Sequence, residues 1–508
     1  LLLAYLLLAG GILWQLLEIL HLNNGFFVYP LDDTYIHLAL AENIAHRTYG
    51  VNLGEFSAPS SSIIWPILLA PVAQFEIAPL IYNILATIFA VYIFYLILDN
   101  SITVANHSLK QVIVFTFLIL LIPTTNIIPL VFLGLEHSLQ VLSIAIICLG
   151  LLLNLTRHEV NPWLLWAIVI APLVRYENGA VSMAALLFLF LRKNYRTSIL
   201  TALATVIPLI GFTAFLRVNG GGWLPASVIV KTGFTSYGDA TFVLFDRLSE
   251  NVLQWSGAVI LICALIFLIY LFAAKNESKK KLAFVMVIAT GVFLLFGQVA
   301  RARYEVFFWV FALMGLIILF GVSISQIFDQ QKSRLKLAAI SAAGILVFVL
   351  ASLPYLFLFP LWPSGSNNIY SQQYQMHRFV VDYYQGPVAV NDLGYVAYKN
   401  DQYVLDLWGL AYLEAYQSRM ANDGQPWMDR LVKQKNVHLV MIYESVYNKI
   451  PPNWEKVGDL VMTRGIFTNP IARVGFYAVT PADRLNITGH LYEFIKTLPE
   501  TAKFEFSE

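Results

Sequence analysis

Apolar runs recur along the first 360 or so residues of this 508-residue chain, and they decide most of what it can fold into. They cover about 1–20, 61–76, 78–98, 111–123, 136–155, 163–174, 179–191, 198–216, 256–273, 282–300, 304–327 and 336–360. A helix needs about 20 apolar residues to cross a hydrocarbon layer of roughly 30 Å, and several runs reach that length. Beyond residue 362 the runs shorten and charges return. The chain is 58% hydrophobic and only 12% charged, about half the charge of a soluble globular protein. This pattern excludes a soluble enzyme, a disordered chain and a coiled coil. A net charge of +1 gives nucleic acid nothing to bind. Cys148 and Cys263 lie inside apolar runs and read as small core residues, not as a disulfide or a zinc site.

The expected architecture is an α-helical polytopic membrane part, residues 1–361, followed by a soluble α/β domain, residues 362–508. The first run lacks a basic start and a small-residue cleavage site, so it reads as a retained helix. Basic loops at 192–196, 275–281 and 332–336 mark cytoplasmic sides. Residues 21–60, 124–137, 217–255 and the tail then lie outside. Parity holds from residue 136 onward. Before it, one of 61–76, 78–98 or 111–123 must be re-entrant or fused to a neighbour, giving about eleven spans. In the tail, 387–390, 403–407, 437–443 and 473–479 read as strands, and 372–384 and 428–434 as helices.

Polar chemistry collects in the first external loop, 21–60. Asp32 and Asp33 precede a segment whose apolar positions, Ile36, Leu40 and Ile44 with Leu38, Ala41 and Ala45, recur at helical spacing. Acids are favoured at a helix N-terminus by the dipole and the free N–H groups. Capping accounts for one aspartate. It accounts less well for two, since adjacent like charges beside a membrane are costly. The functional alternative is a carboxylate pair in which one acid deprotonates a hydroxyl and the other orients it, shares a metal or raises its neighbour's pKa. A lipid-linked phosphosugar is an electrophile that lives at that interface. Tyr35, His37, Asn52 and Ser61 of the same stretch are candidate substrate contacts.

Other polar groups punctuate span ends. Glu136 and His137 open one run, Arg175 and Glu177 interrupt another, and Arg301, Arg303, Tyr304 and Glu305 separate two more. Ionisable residues at membrane depth are costly unless paired, so each is either a helix-pinning ion pair or part of a site. Arg301 and Arg303 share one nearby carboxylate, which leaves positive charge for a phosphate. Lys231 follows an apolar segment and either meets a lipid phosphate or snorkels. In the tail, Asp392 and Asp406 stand where expected strands end, a common binding position and an equally common turn position.

Together these residues resemble the GT-C glycosyltransferases, most nearly a bacterial branch that includes the mycobacterial terminal arabinofuranosyltransferases. That branch has a pattern like D-D-x-Y/F-I, A-x-N, G, N and T/S-S-x-x-W. This chain matches it with Asp32, Asp33, Tyr35, Ile36, Ala41, Asn43, Gly50, Asn52, Ser61, Ser62 and Trp65. A G-M-E-T motif becomes Gly134, Leu135, Glu136, His137, departing at two positions. An L-P-N-T-x-x-x-K loop becomes Leu224, Pro225, Ala226, Ser227 and Lys231. Tail motifs like D-x-G-x-x-A-Y and D-x-x-G-L appear as Asp392, Gly394, Ala397, Tyr398 and as Asp406, Gly409, Leu410. The resemblance spans nearly the whole chain in order.

The resemblance implies a GT-C fold in a bacterial plasma membrane, with the active site and tail on the extracytoplasmic side. It implies an inverting transferase that takes a sugar from a polyprenyl-phosphate donor to an envelope glycan, lipid or protein. Asp32 would be the general base and Asp33 its orienting partner or a metal ligand. Arg175, Lys231, Arg301 and Arg303 would meet the donor phosphate. Glu136, His137, Tyr304, Asp392 and Asp406 would line the substrate site. A divalent cation is left open, with Asp32, Asp33 and Glu136 as its ligands if there is one. The rival readings are a flippase or transporter of lipid-linked saccharides, which predicts mid-span charges and an internal repeat, and a membrane scaffold whose Asp pair is replaceable.

Overall fold

The computed structural model describes residues 1–232, 240–299, 302–331, 333–421, 426–465, 467–468 and 471–507. Among these, eight stretches are long and apolar enough to cross a membrane. They are Leu2–Leu22, Ala78–Ser101, His107–Thr124, His137–Arg157, Tyr195–Val218, Trp255–Ala273, Val306–Gln330 and Leu335–Tyr384. Pro162–Val174 and Tyr176–Leu191 are shorter apolar helices, and Glu277–Phe296 begins on a run of lysines. The run at 61–76 forms no long helix. Its helix Ile64–Leu69 has six residues, about 9 Å at 1.5 Å per residue. Three of the helices begin on local caps beside basic loops, with Asn106, Asn276 and Ser333 accepting from the backbone N–H of Leu109, Lys279 and Lys336.

By contact the chain forms two compact units. The first comprises Leu1–Leu13, Leu80–Gly211 and Ser236–Pro360, and the second Trp14–Pro79, Phe212–Thr235 and Leu361–Glu508. One unit boundary lies between Pro360 and Leu361. The first loop and the segment after residue 212 nevertheless cluster with the tail, because their partners are far away in sequence.

In the first unit, Val306–Gln330 and His137–Arg157 are the most buried spans and pack on each other. Phe293 stacks on Phe308 at 4.3 Å, and Phe307 and Phe311 extend the cluster. Ile262, Leu265, Ile269 and Phe272 of Trp255–Ala273 are exposed, as side chains facing lipid should be.

The second unit is built on a mixed sheet of six strands among the described residues. These are β1 Val388–Val390, β2 Val404–Asp406, β3 Leu439–Ile442, β4 Glu455–Met462, β5 Arg473–Ala478 and β6 Ala502–Phe506, in the order β2-β1-β3-β5-β4-β6. β1 pairs in parallel with both β2 and β3, and the remaining pairs are antiparallel. Helix Trp427–Gln434 covers one face with Met428, Leu431 and Val432, spaced i, i+3, i+4, against Ala389, Leu405 and Val440. On the other face Phe379, Phe476 and Phe494 meet at 5.2–5.7 Å. The chain leaves β1 toward β2 on one side and returns to β3 on the other. The strand order therefore reverses at β1, and ligands of α/β sheets bind at the carboxyl ends of strands at such a point.

Candidate functional site

Asp32 stands at the N-cap of helix Asp33–Ala45, yet its side chain makes no capping hydrogen bond. Its carboxylate instead accepts from the backbone N–H groups of Gly394 (2.7 Å) and Tyr395 (2.8 Å), just past the carboxyl end of β1. Gly394 has to be glycine. A Cβ there would lie 2.1 Å from the carbonyl oxygen of Asp32 and 2.7 Å from its carboxylate. Asp33 opens the first turn of the helix, half-buried, with its charge felt by both Asp32 and Asp392.

Asp392 Oδ2 accepts from Gln373 Nε2 (2.8 Å) and meets the hydroxyl of Tyr443 (2.7 Å). That hydroxyl also lies 2.6 Å from Gln372 Oε1, and it has one proton for two acceptors. Burial raises Asp392, against the hydrogen bonds it accepts, and the charge of Asp33 raises it further. Burial first, and the Asp392 charge second, raise Asp32 above the carboxylate range, against the two N–H bonds that pull it down.

The rest of the first loop holds the two acids against the tail. The Tyr35 ring stacks on Tyr395 at 3.8 Å, and both hydroxyls donate to Glu76 Oε1, at 2.9 and 3.0 Å. Asn52 gives and takes one hydrogen bond each with the backbone of Val404 (2.9 Å both ways), so its amide acts as one more strand residue beside edge strand β2. His37 is buried with Nδ1 3.2 Å from Ser60 Oγ, and Ser61 is half-buried. Asp406 is buried at the end of β2 and accepts from the N–H groups of Trp408, Gly409 and Ala411, which fixes the following loop. Burial pushes it up to about 6, against those bonds.

These shifts fix a pH dependence. Asp32, Asp392, Asp406 and Glu76 all lie above their ordinary values with burial the leading cause, so the folded chain holds more protons than the unfolded chain between those values and the raised ones. Stability from these groups is present at low pH and is lost as pH rises through that window. The melting midpoint in detergent is expected to fall from about pH 5 upward, and Asp32→Asn with Asp392→Asn to flatten the fall. A wild-type midpoint that climbs over that range contradicts raised values for these four acids.

In the first unit the structure gathers Glu136, His137, Arg175, Arg303 and Tyr304. Arg175 Nη1 donates to Glu136 at 2.7 Å, while its Nε and Nη2 take Glu177 in a fork at 3.3 and 2.8 Å. Arg303 Nη2 donates to the Tyr304 hydroxyl (2.8 Å), and the Tyr304 ring has Arg303 at 4.7 Å and Arg175 at 5.5 Å. His137 Nδ1 lies 3.1 Å from Gln140 Oε1, and Gln140 donates on to Asn178. Arg175→Ala removes the guanidinium from a fully buried carboxylate and is expected to cost about 3–5 kcal/mol, read as a lowered melting midpoint. An unchanged midpoint removes the structural role. Arg301 lies outside the described residues, as does the side chain of Lys231.

Among the described residues, no group of three or more His, Cys, Asp or Glu is arranged to hold a metal ion. Glu136, one of the three ligands named from the sequence, belongs to the Arg175 cluster. The sequence did not single out Glu76, Gln373, Tyr443 or Arg419. Only Glu76 left a signal, as an acid at the close of an apolar run.

A family model described as a domain of unknown function (DUF8728) matches residues 367–481, which hold β1, β2, β3, β4 and β5. No curated protein matches the chain. Among solved structures, the chain is similar to the Archaeoglobus fulgidus oligosaccharyltransferase crystallised with zinc and sulfate. The match has 12% identity and a TM-score of 0.41, covering 97% of this chain and 74% of the other. No residue is carried over from that protein, because such identity and similarity do not fix a residue correspondence.

Proposed function

We propose that this chain is a GT-C-type inverting glycosyltransferase of the membrane. It moves a sugar from a polyprenyl-phosphate donor to an envelope glycan, lipid or protein acceptor on the outer face. The observation that carries this reading is the place of Asp32. It leaves its own helix uncapped and is received beside Asp392, at the strand ends where α/β sheets bind ligands. The motif resemblance across the chain points the same way.

In this reading Asp32 is the base. Its two N–H bonds fix its orientation, each oxygen keeps a lone pair, and its raised pKa suits proton transfer near neutral pH. It takes the proton of the acceptor hydroxyl as the oxygen attacks the anomeric carbon from the face opposite the phosphate. The bond from that carbon to the phosphate oxygen breaks, and the polyprenyl phosphate leaves with the electron pair. Asp33 orients the nucleophile. Arg175, Arg303, Lys231 and Arg301 remain candidates for the donor phosphate.

The test is transfer of radiolabelled sugar from a panel of polyprenyl-phosphate donors in membranes with crude envelope acceptors. One donor consumed supports the reading. No donor consumed, with lipid-linked saccharide moved across the bilayer, replaces it with a flippase.

A further inference from the structure

The carboxyl edge of the sheet carries a cation that the transfer scheme does not use. Helix Leu413–Ala421 places Tyr416 and Arg419 three residues apart on one face. Trp408 comes from the loop that Asp406 fixes. The Arg419 guanidinium lies 3.6 Å from the Trp408 ring centroid and 5.7 Å from that of Tyr416. Stacking holds the plane of the group without using any of its N–H donors.

Among the described residues Arg419 makes no hydrogen bond or ion pair, although its Nε is buried. Tyr447, 9% exposed, also has a buried hydroxyl with no partner among them. That phenol interacts electrostatically with Asp406, Arg419 and Asp392. Asp406 is committed to backbone N–H groups. Other cations of this unit have partners, Lys435 in Glu55, Arg430 in Glu414, and Arg378 in Gln375 and Thr497. Arg419 is thus a preorganised fork with its N–H donors unspent among the described residues.

We infer that Arg419, stacked on Trp408, binds an oxyanion of the substrate, a phosphate or a carboxylate. This rests on the transferase reading and adds to it that the substrate is gripped by its charge from the tail. Trp408 is a positioning residue, because it acts through the guanidinium.

The test is equilibrium binding to the full chain purified in detergent, with undecaprenyl phosphate, inorganic phosphate and glucuronate as probes. The wild type is expected to bind at least one of them in a salt-sensitive way. Arg419→Gln should weaken that binding about ten- to hundredfold, with Arg419→Lys between the two because an ammonium has no planar fork. Loss confined to undecaprenyl phosphate and inorganic phosphate assigns the site to the donor, and loss confined to glucuronate assigns it to an acidic acceptor. Wild-type affinity for every probe in Arg419→Gln, at an unchanged melting midpoint, overturns the inference, and so does a wild type that binds none. Binding needs no turnover. A chain that binds through Arg419 but transfers from no donor sinks the transferase reading alone, and one whose Arg419→Gln variant transfers with wild-type KM sinks this site alone.

Discussion

Asp32→Asn is expected to lower sugar transfer by about 10²–10⁴-fold, the range a positioned base contributes. The substitution keeps the shape of the side chain and removes its basicity. It also turns an amide N–H₂ toward one of the backbone donors of Gly394 and Tyr395, so the variant loses one of two hydrogen bonds at 2.7 and 2.8 Å. That part costs about 1–3 kcal/mol and is read separately as a lowered melting midpoint. Rates are therefore compared per folded molecule. Asp33→Asn makes neither contact and should lose activity with a smaller change in midpoint. The wild-type rate should also decline with acidification well above the ordinary carboxylate range, because the base works only when ionised and its pKa is raised by burial and by Asp392. If both variants transfer at wild-type rates, the acids are not the catalytic pair. A rate that stays flat down to pH 5 means that the base is not a raised carboxyl.

Gly394→Ala should be nearly as damaging, although it changes no functional group. The new Cβ would lie 2.1 Å from the Asp32 carbonyl oxygen, far inside any real contact, and the atom in its way is backbone. The Asp32 segment or the Gly394 segment must move, and both N–H bonds to the carboxylate stretch or break. Overpacking of this kind costs about 1–3 kcal/mol, with the charge-assisted hydrogen bonds in addition. Transfer should fall at least about a hundredfold, since a displacement near 1 Å at a reacting group has that effect. Gly489 provides the control. It lies in helix Pro481–Phe494 with open space where a Cβ would go, so Gly489→Ala should leave transfer unchanged and stabilise by about 0.5–1 kcal/mol. Wild-type transfer and melting in Gly394→Ala would mean that Asp32 does not dock on the Gly394–Tyr395 backbone.

Four strands and the helix at 427–434 were legible because each is a short apolar run with turn residues around it. β4 and β6 were not. β4 mixes charges with Gly458 and carries a register shift between Lys456 and Gly458, which breaks period-two alternation. β6 is an edge strand with Lys503 and Glu505 between its apolar residues, a pattern that also suits an exposed turn. The helical pattern at 372–384 is matched by helix, but the last turn, Phe379–Tyr384, is wound as π-helix.

The sequence by itself determined the class of molecule and the acid pair in the first loop. These are local properties, since hydropathy, helical period and a D-D pair can be read within windows of twenty residues. Only the tertiary structure decided which partners those acids take. Helix propensity predicts a capping Asp32, whereas the observed partner lies 362 residues away, and Gly394 is glycine for a neighbour no local pattern names. Asn52, an apparent substrate contact, pairs with Val404, and Arg419, an ordinary helix residue in the sequence, is singled out by Trp408 beneath it. Long-range partners are selected by packing and by the need of buried polar groups for hydrogen bonds, and neither leaves a periodic mark on the chain.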